Sequence, residues 1–118
     1  FLKEIVEQSS ETKDVQGVFA VQKIIANRLS LLKGDLQWLE PELPNFAPAL
    51  LVSWGSHHQN TNGVCFISHA DTVYSQKELR PFAINEKDGF IYGGGVADNK
   101  GGLLIACLAL EKLYSSLF

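Results

Sequence analysis

The chain has 118 residues, of which 46% are hydrophobic and 19% are charged, and its formal net charge is −3. This length suits one ordinary domain, and the composition excludes a disordered, collagen-like or coiled-coil chain. The 10 Lys and Arg residues form no basic patch, so nucleic acid is not an expected partner. The longest apolar run, residues 103–110, is far shorter than the roughly 18 residues that cross a bilayer, so no membrane association is expected.

Three further features concern processing, location and cysteine chemistry. The chain begins at Phe1 and contains no methionine, so we expect either a processed product or a piece of a longer protein. Charged residues interrupt the start of the chain and leave no recognisable signal peptide, which favours a cytoplasmic location. Cys65 and Cys107 lie far apart in the sequence and are predicted to be buried thiols rather than a disulfide or a metal pair.

The first half of the sequence predicts two helices and a strand. A short helix is expected over residues 1–8. A long helix should follow, with Asp14 as its N-cap and Gly34 just after its end, because apolar residues between them recur at three- and four-residue steps. Residues 36–40 alternate loosely and are closed by a proline, which predicts an edge strand.

The second half predicts a buried sheet and one more helix. The apolar runs 49–54 and 63–68 are typical of strands buried on both faces. Residues 83–86 and 90–92 flank a Lys-Asp-Gly turn, which indicates a β-hairpin. A helix over about residues 100–116 is apolar all round near its start and should be buried. Together these elements predict an α/β fold, a three-layer sandwich of helices around a mixed, mainly parallel β-sheet.

The first segment with chemical potential is residues 67–73 (ISHADTV), which begin in a predicted strand. His69 and Asp71 are two positions apart, so on an extended backbone their side chains point to the same side. A carboxylate placed in this way can accept one ring N–H of the histidine and strengthen the other ring nitrogen as a metal ligand. The alternative interpretation is a histidine at a strand end that simply bonds a nearby carboxylate.

The second segment is residues 93–102 (GGGVADNKGG), a glycine-rich loop before a predicted helix. The P-loop pattern needs glycine directly before the lysine, but Asn99 precedes Lys100. The dinucleotide pattern needs glycine where Asp98 stands. A nucleotide-binding domain therefore fails both patterns, and a loop that presents one carboxylate suits a cation better. The alternative is a glycine-rich turn in which Asp98 caps the helix.

Taken together, the two segments indicate part of a metal site. His69 and Asp98 would supply one nitrogen and one oxygen ligand from two loops at the end of the predicted sheet. Ligands of this kind favour zinc or a similar first-row ion. In a hydrolase, zinc lowers the pKa of bound water and polarises a carbonyl group.

These segments, with the Arg80-Pro81-Phe82 element between them, resemble the di-zinc metallopeptidases of peptidase family M20. This family includes glutamate carboxypeptidase, aminoacylase, acetylornithine deacetylase and succinyl-diaminopimelate desuccinylase. The resemblance is dense over residues 65–113 and weaker upstream, around the Ser9-Ser10 pair and residues 14–17. The Thr72-Val73 pair leans toward the glutamate carboxypeptidase branch.

The resemblance implies roles for individual residues. His69 would be a ligand to one zinc, and Asp71 would belong to the catalytic site as the carboxylate that orients this histidine. Asp98 would bridge two metal ions, and its peptide bond to Asn99 would be cis. The implied cofactor is Zn²⁺, two ions in an intact site, with Co²⁺ or Mn²⁺ as alternatives.

The resemblance also implies parts that this sequence lacks. The family's general base is a glutamate in a Glu-Glu pair well after the bridging aspartate, and after Asp98 this chain offers only Glu111. The other ligands and the lid or dimerisation domain are absent too. We therefore expect residues 1–118 to be the N-terminal part of one zinc-peptidase-like catalytic domain, inactive alone and homodimeric in full-length form.

Two functions from different classes are compatible with these observations. The first is zinc-dependent hydrolysis of an amide bond in a small peptide or N-acyl amino acid, by a metallo-carboxypeptidase or amidohydrolase. The second is a non-enzymatic binding or interaction domain derived from the same fold. The second function stays open because the sequence contains neither the general base nor the further metal ligands.

Overall fold

The structure is a computed structural model that describes residues 1–55, 63–75 and 85–117. Three helices and four strands follow in chain order: α1 (Leu2–Glu7), α2 (Val15–Ser30), β1 (Asp35–Leu39), β2 (Ala49–Ser53), β3 (Asn85–Lys87), β4 (Phe90–Tyr92) and α3 (Gly101–Leu117). A wide turn over Val96–Lys100 leads directly into α3. The helices and the hairpin lie close to their predicted positions.

Helix α2 begins as its sequence predicts. The Asp14 carboxylate accepts a hydrogen bond from the backbone N–H of Gly17 at 3.0 Å, which satisfies one of the free donors of the first turn. At the other end the prediction for Gly34 is wrong, because Lys33 takes the positive φ angle, 52°. Gly34 is instead a site of close packing, since a Cβ there would lie 2.7 Å from the Trp54 ring.

The strands form two separate antiparallel pairs. β1 pairs with β2 from Asp35↔Ser53 to Leu39↔Ala49. β3 pairs with β4 across a turn in which Asp88 and Gly89 both have positive φ angles, 53° and 81°. Positive φ at both positions is what a two-residue type I′ hairpin needs. The part of the predicted hairpin before residue 85 lies outside the described residues.

The predicted three-layer sandwich around a mainly parallel sheet is wrong. The described residues form only these two two-stranded antiparallel sheets, and their parallel pairing is limited to an isolated bridge between Glu11 and Thr72. Residues 63–68 form no strand, and Val64 and Ile67 are 85% and 92% exposed. An apolar run becomes a strand only where another backbone segment pairs with it, and no described strand lies against this run.

Strand β2 is also more exposed than its continuous apolar sequence predicts. Leu50 and Val52 pack against the core, whereas Leu51 between them is exposed. An antiparallel pair with only one covered face produces this alternation. The prediction that both faces of β2 are buried is therefore wrong.

The core lies between the helices. Ile5 of α1, Val21 and Ile25 of α2, and Leu103 and Cys107 of α3 are all buried in one cluster. Trp38 and Trp54 are half-buried packing residues, as expected, and the Trp38 ring meets Phe19 edge-on. Within the described residues, the three helices thus share one small core.

Helix α3 buries one face rather than its whole circumference. Leu103 and Cys107 point into the core, but Ile105 is 69% exposed and Leu108 is exposed as well. Both cysteines are free thiols, but Cys65 is exposed, so the prediction of burial is confirmed for Cys107 alone. Within the described ranges, no helix is long and apolar enough to cross a bilayer.

Candidate metal centre

The His69 ring is placed by Asp71, the residue that the sequence indicated as its partner. The ring Nδ1 lies 3.2 Å from Asp71 Oδ1 and 3.1 Å from the backbone oxygen of the same residue. Two oxygen acceptors on this side favour the tautomer with hydrogen on Nδ1. That tautomer leaves the lone pair of Nε2 free for a metal ion.

The other ring nitrogen faces Asp98, which comes from the second predicted segment. His69 Nε2 lies 3.1 Å from Asp98 Oδ1, although 29 positions separate the two residues in the sequence. Both nitrogens of His69 thus face carboxylates, and a neutral imidazole carries only one N–H. At the other nitrogen, a ring lone pair therefore faces the lone pairs of a carboxylate oxygen. A second proton on the ring or a bound cation has to offset that repulsion.

This pair of side chains fits one edge of a zinc site. Zinc binds histidine nitrogen and carboxylate oxygen at about 2.0–2.2 Å, so two such ligands of a tetrahedral ion lie about 3.3 Å apart. The observed separation of 3.1 Å between Nε2 and Oδ1 is close to that value. Residues 1–55, 63–75 and 85–117 contain no group of three or more His, Cys, Asp or Glu side chains that could hold a metal ion. The described residues therefore bring together two candidate ligands, His69 and Asp98.

The wide turn before α3 holds Asp98 in position. The N–H of Lys100 donates to the oxygen of Gly95 at 3.0 Å, and Gly95 itself has a positive φ angle of 75°. The peptide bond between Asp98 and Asn99 is cis, which confirms the bond that the family resemblance implied. The Asp98 side chain is 90% exposed, so its second carboxylate oxygen is accessible to a ligand.

Lys100 anchors the end of this turn inside the protein. Its side chain is buried, and Nζ donates to the backbone oxygen of Gln8 at 2.8 Å. Desolvation by burial lowers the pKa of Lys100 to about 8. The lysine therefore joins the loop that carries Asp98 to the segment that follows α1.

The same segment after α1 also holds the loop that carries His69. Thr72 N–H donates to the oxygen of Ser10 at 2.8 Å, and Thr12 N–H donates to the oxygen of Thr72 at 3.0 Å. The buried Ser10 hydroxyl donates to the oxygen of Ala70 at 2.9 Å. Residues 10–12 thus run beside residues 70–72 and hold the backbone on both sides of Asp71.

Two side-chain contacts at the site were not identified by sequence reasoning. Thr12 Oγ1 donates to Asp71 Oδ2 at 2.6 Å, and Asn99 Nδ2 donates to the Ser68 hydroxyl at 2.6 Å. The second contact joins the residue before His69 to the residue after Asp98. The sequence signals near Thr12 were the resemblance around Ser9-Ser10 and residues 14–17 and the N-cap prediction for Asp14. None of them assigned a role to Thr12.

The electrostatics of His69 follow from its neighbours. Burial lowers the pKa of this histidine, but the Asp71 backbone oxygen and the carboxylates of Asp98 and Asp71 outweigh that effect. The pKa of His69 is therefore raised above its usual value of 6.5. Proton and metal ion compete for the same nitrogen, since a ligating imidazole must be neutral.

The acidic residue that follows Asp98 in the sequence forms a contact between two helices. Glu111, the single acidic residue after Asp98, forms a two-pronged ion pair with Arg28, with N–O distances of 2.6 and 2.9 Å. This contact gives Glu111 a structural role between α3 and α2. His57, His58 and the Arg80-Pro81-Phe82 element lie outside the described residues.

The chain is similar in sequence to known proteins over most of its length. Residues 65–118 match the sequence profile of Peptidase family M20/M25/M40. The chain is 32% identical over 116 residues to succinyl-diaminopimelate desuccinylase from Coxiella burnetii strain Dugway 5J108-111, and the same values hold for the enzyme of strain RSA 331 / Henzerling II. The match covers 94% of this chain but 28% of each relative, so the chain spans little more than a quarter of their length. Residues 65–118, which contain both candidate site segments, therefore belong to the sequence family Peptidase family M20/M25/M40.

Proposed function

We propose that this chain is the N-terminal, metal-holding part of the catalytic domain of a zinc-dependent hydrolase that cleaves amide bonds in small peptides or N-acyl amino acids. Enzymes of this family generally bind zinc and act on small peptide or acylated amino acid substrates. The observation that supports the proposal best is the contact between His69 Nε2 and Asp98 Oδ1 at 3.1 Å. Each residue comes from a different motif of the family resemblance.

Each residue of the site has a separate part in this proposal. His69 Nε2 and Asp98 would hold zinc, with the exposed oxygen of Asp98 available to a second ion. Asp71 would keep the hydrogen of His69 on Nδ1. When bound, zinc would polarise the substrate carbonyl and lower the pKa of bound water. Remaining ligands and the general base would come from parts of the protein outside these 118 residues.

Substrate choice within this class is a separate matter. The relatives named above are desuccinylases, whereas the Thr72-Val73 pair predicts the glutamate carboxypeptidase branch. Both activities break an amide bond next to a carboxylate-bearing group, and both fit the proposed chemistry. The carboxypeptidase specificity stays a prediction.

The proposal is tested by zinc binding and amide hydrolysis in the complete natural protein. His69→Ala and Asp98→Ala should each reduce bound zinc and lower kcat by at least about 100-fold, because each removes a direct ligand. Asp35→Ala is a matched control, since it removes an exposed carboxylate on β1. If both site variants keep wild-type zinc content and activity, the assignment is wrong.

The same experiment separates the proposal from a non-enzymatic binding domain. A binding domain derived from this fold would be stable without metal and would hydrolyse neither a dipeptide series nor an N-acyl amino acid series. Wild-type protein that takes up zinc without hydrolysing either series would support that alternative. Hydrolysis that is lost on chelation and restored by zinc would support the hydrolase.

A further inference from the structure

We propose that Thr12 is a positioning residue of the candidate metal centre, which holds the Asp71 carboxylate against His69. Thr12 Oγ1 donates to Asp71 Oδ2 at 2.6 Å, while Asp71 Oδ1 lies 3.2 Å from His69 Nδ1. The two oxygens of one carboxylate are thus divided between the threonine and the histidine. Hydrogen bonds thus link Thr12 to Asp71 and Asp71 to His69, and the Nε2 of this histidine faces Asp98.

The backbone around Thr12 is held firmly enough to make this contact directional. Thr12 N–H donates to the oxygen of Thr72, and Thr72 N–H donates to the oxygen of Ser10. Ser10 and Thr72 are both buried. The Thr12 hydroxyl has a second acceptor, the Thr72 oxygen at 3.4 Å, but it has one hydrogen, and the much shorter contact goes to the charged carboxylate.

Loss of this hydrogen bond should change the state of the histidine. A free Asp71 carboxylate can rotate away from Nδ1, which leaves the Asp71 backbone oxygen as the acceptor that still favours hydrogen on Nδ1. Asp98 on the other side then competes more effectively for the ring hydrogen. The population of neutral His69 should therefore shift from the Nδ1–H form toward the Nε2–H form, which cannot bind a metal ion through Nε2.

The primary test reads this tautomer in the metal-free chain. Nitrogen-15 NMR of the His69 ring, at a pH well above the histidine pKa, distinguishes the two forms by the shifts of Nδ1 and Nε2. Thr12→Val, which keeps the shape but removes the hydroxyl, should lower the Nδ1–H fraction. Asp71→Ala should give the lowest Nδ1–H fraction of the series, since only the backbone oxygen of residue 71 then accepts a hydrogen bond from Nδ1. Thr12→Ser should restore the wild-type fraction.

Ser10→Ala is the matched structural control. It removes a buried hydrogen bond between the same two segments, from the Ser10 hydroxyl to the Ala70 oxygen, but it touches no side chain of the site. The control should lower the thermal unfolding midpoint and leave the tautomer fraction unchanged. If Ser10→Ala shifts the tautomer as much as Thr12→Val, or if Thr12→Val leaves it at the wild-type value, the positioning role is refuted.

A second measurement links Thr12 to the metal, and this link rests on the proposed function. Partners of metal-bound histidines contribute about 10- to 100-fold to affinity, and Thr12 acts one residue further away. Thr12→Val should therefore weaken zinc binding by the complete protein by up to about 10-fold, and Thr12→Ser should restore it. A wild-type protein that binds no zinc would refute the proposed function, while the tautomer shift would still decide the role of Thr12.

Discussion

At the scale of single residues, Gly34 is a position where the backbone leaves no room for a side chain. A Cβ at this position would lie 2.7 Å from the ring of Trp54 and 2.8 Å from Val52 Cγ1. The Trp54 ring cannot move freely, because its Nε1–H donates to the oxygen of Leu32 at 2.9 Å. A sequence-based interpretation sees only a glycine after a helix, whereas the reason for this glycine is a contact twenty residues away.

Gly34→Ala should therefore destabilise the protein by about 1–3 kcal/mol, as overpacking of a filled site does. The measurement is the free energy of unfolding from urea titration. Gly63→Ala is the control, because a Cβ at Gly63 meets nothing within 4 Å. Equal stability of the two variants would contradict the packing role of Gly34.

Lys100 gives a pH dependence whose sign can be worked out. Burial lowers its pKa from 10.5 to about 8 in the folded state, so between these values the unfolded chain binds more protons than the folded one. Stability should therefore rise as the pH increases from about 8 to 10.5, by at most about 3 kcal/mol. Below pH 8 the lysine is charged in both states, and its contribution does not change.

The check is the difference in unfolding free energy between wild type and Lys100→Met, measured from pH 7 to 10.5. This difference should increase with pH, because the methionine variant has no group to titrate at this position. Lys112→Met removes an exposed lysine from α3 and should follow the wild-type curve. Parallel curves for wild type and Lys100→Met would show that burial does not perturb this lysine.

At the scale of elements, α2 and α3 are joined by a partly buried ion pair. Arg28 and Glu111 meet through two N–O contacts, and their side chains are about one-quarter and one-third exposed. The Arg28 guanidinium also stacks on the Phe1 ring, 4.5 Å from its centroid. A single Arg28 substitution therefore removes two interactions, and a double-mutant cycle is needed to isolate the pair.

The cycle of Arg28→Ala and Glu111→Ala should give a coupling energy of about 1 kcal/mol that falls with added salt. The control is the cycle of Lys3→Ala and Glu86→Ala, whose pair at 2.9 Å is more than half exposed on both sides. That pair should couple by less than about 0.5 kcal/mol. Equal couplings in the two cycles would mean that partial burial adds nothing to the Arg28–Glu111 contact.

At the scale of the whole molecule, an apolar segment remains uncovered. Val64 and Ile67 are 85% and 92% exposed, and Phe66 between them is about half exposed. Isolated apolar side chains on a surface are common, but three in one short segment are unusual. Ile67 is two residues before His69, so this exposed segment adjoins the candidate metal centre along the sequence.

This exposure predicts that the folded chain binds a hydrophobic dye such as ANS. Ile67→Lys and Val64→Lys should each lower the bound-dye fluorescence without changing the far-UV circular dichroism. Gln37→Lys, which adds the same charge at an exposed position on β1, should leave the fluorescence close to that of wild type. Dye binding that does not respond to either apolar substitution would contradict the exposure of this segment.

Local chemistry was readable from the sequence. The N-cap at Asp14 and the hairpin turn at Asp88 and Gly89 depend on neighbouring residues, so a short window contains the relevant information. The cis bond after Asp98 was instead implied by the family resemblance. The pairing of His69 with Asp71 is local in the same sense. The family resemblance rested on such motifs as well, and its family assignment is confirmed.

Tertiary structure decided which backbone segments pair and which faces are covered. The mainly parallel sheet was wrong because residues 63–68 have the composition of a buried strand but no described strand beside them. Likewise, nothing local to Thr12 or Lys100 indicates that one reaches Asp71 and the other Gln8. Hydrogen bonds between distant segments depend on where the whole backbone places its donors and acceptors, and composition and periodicity do not encode that placement.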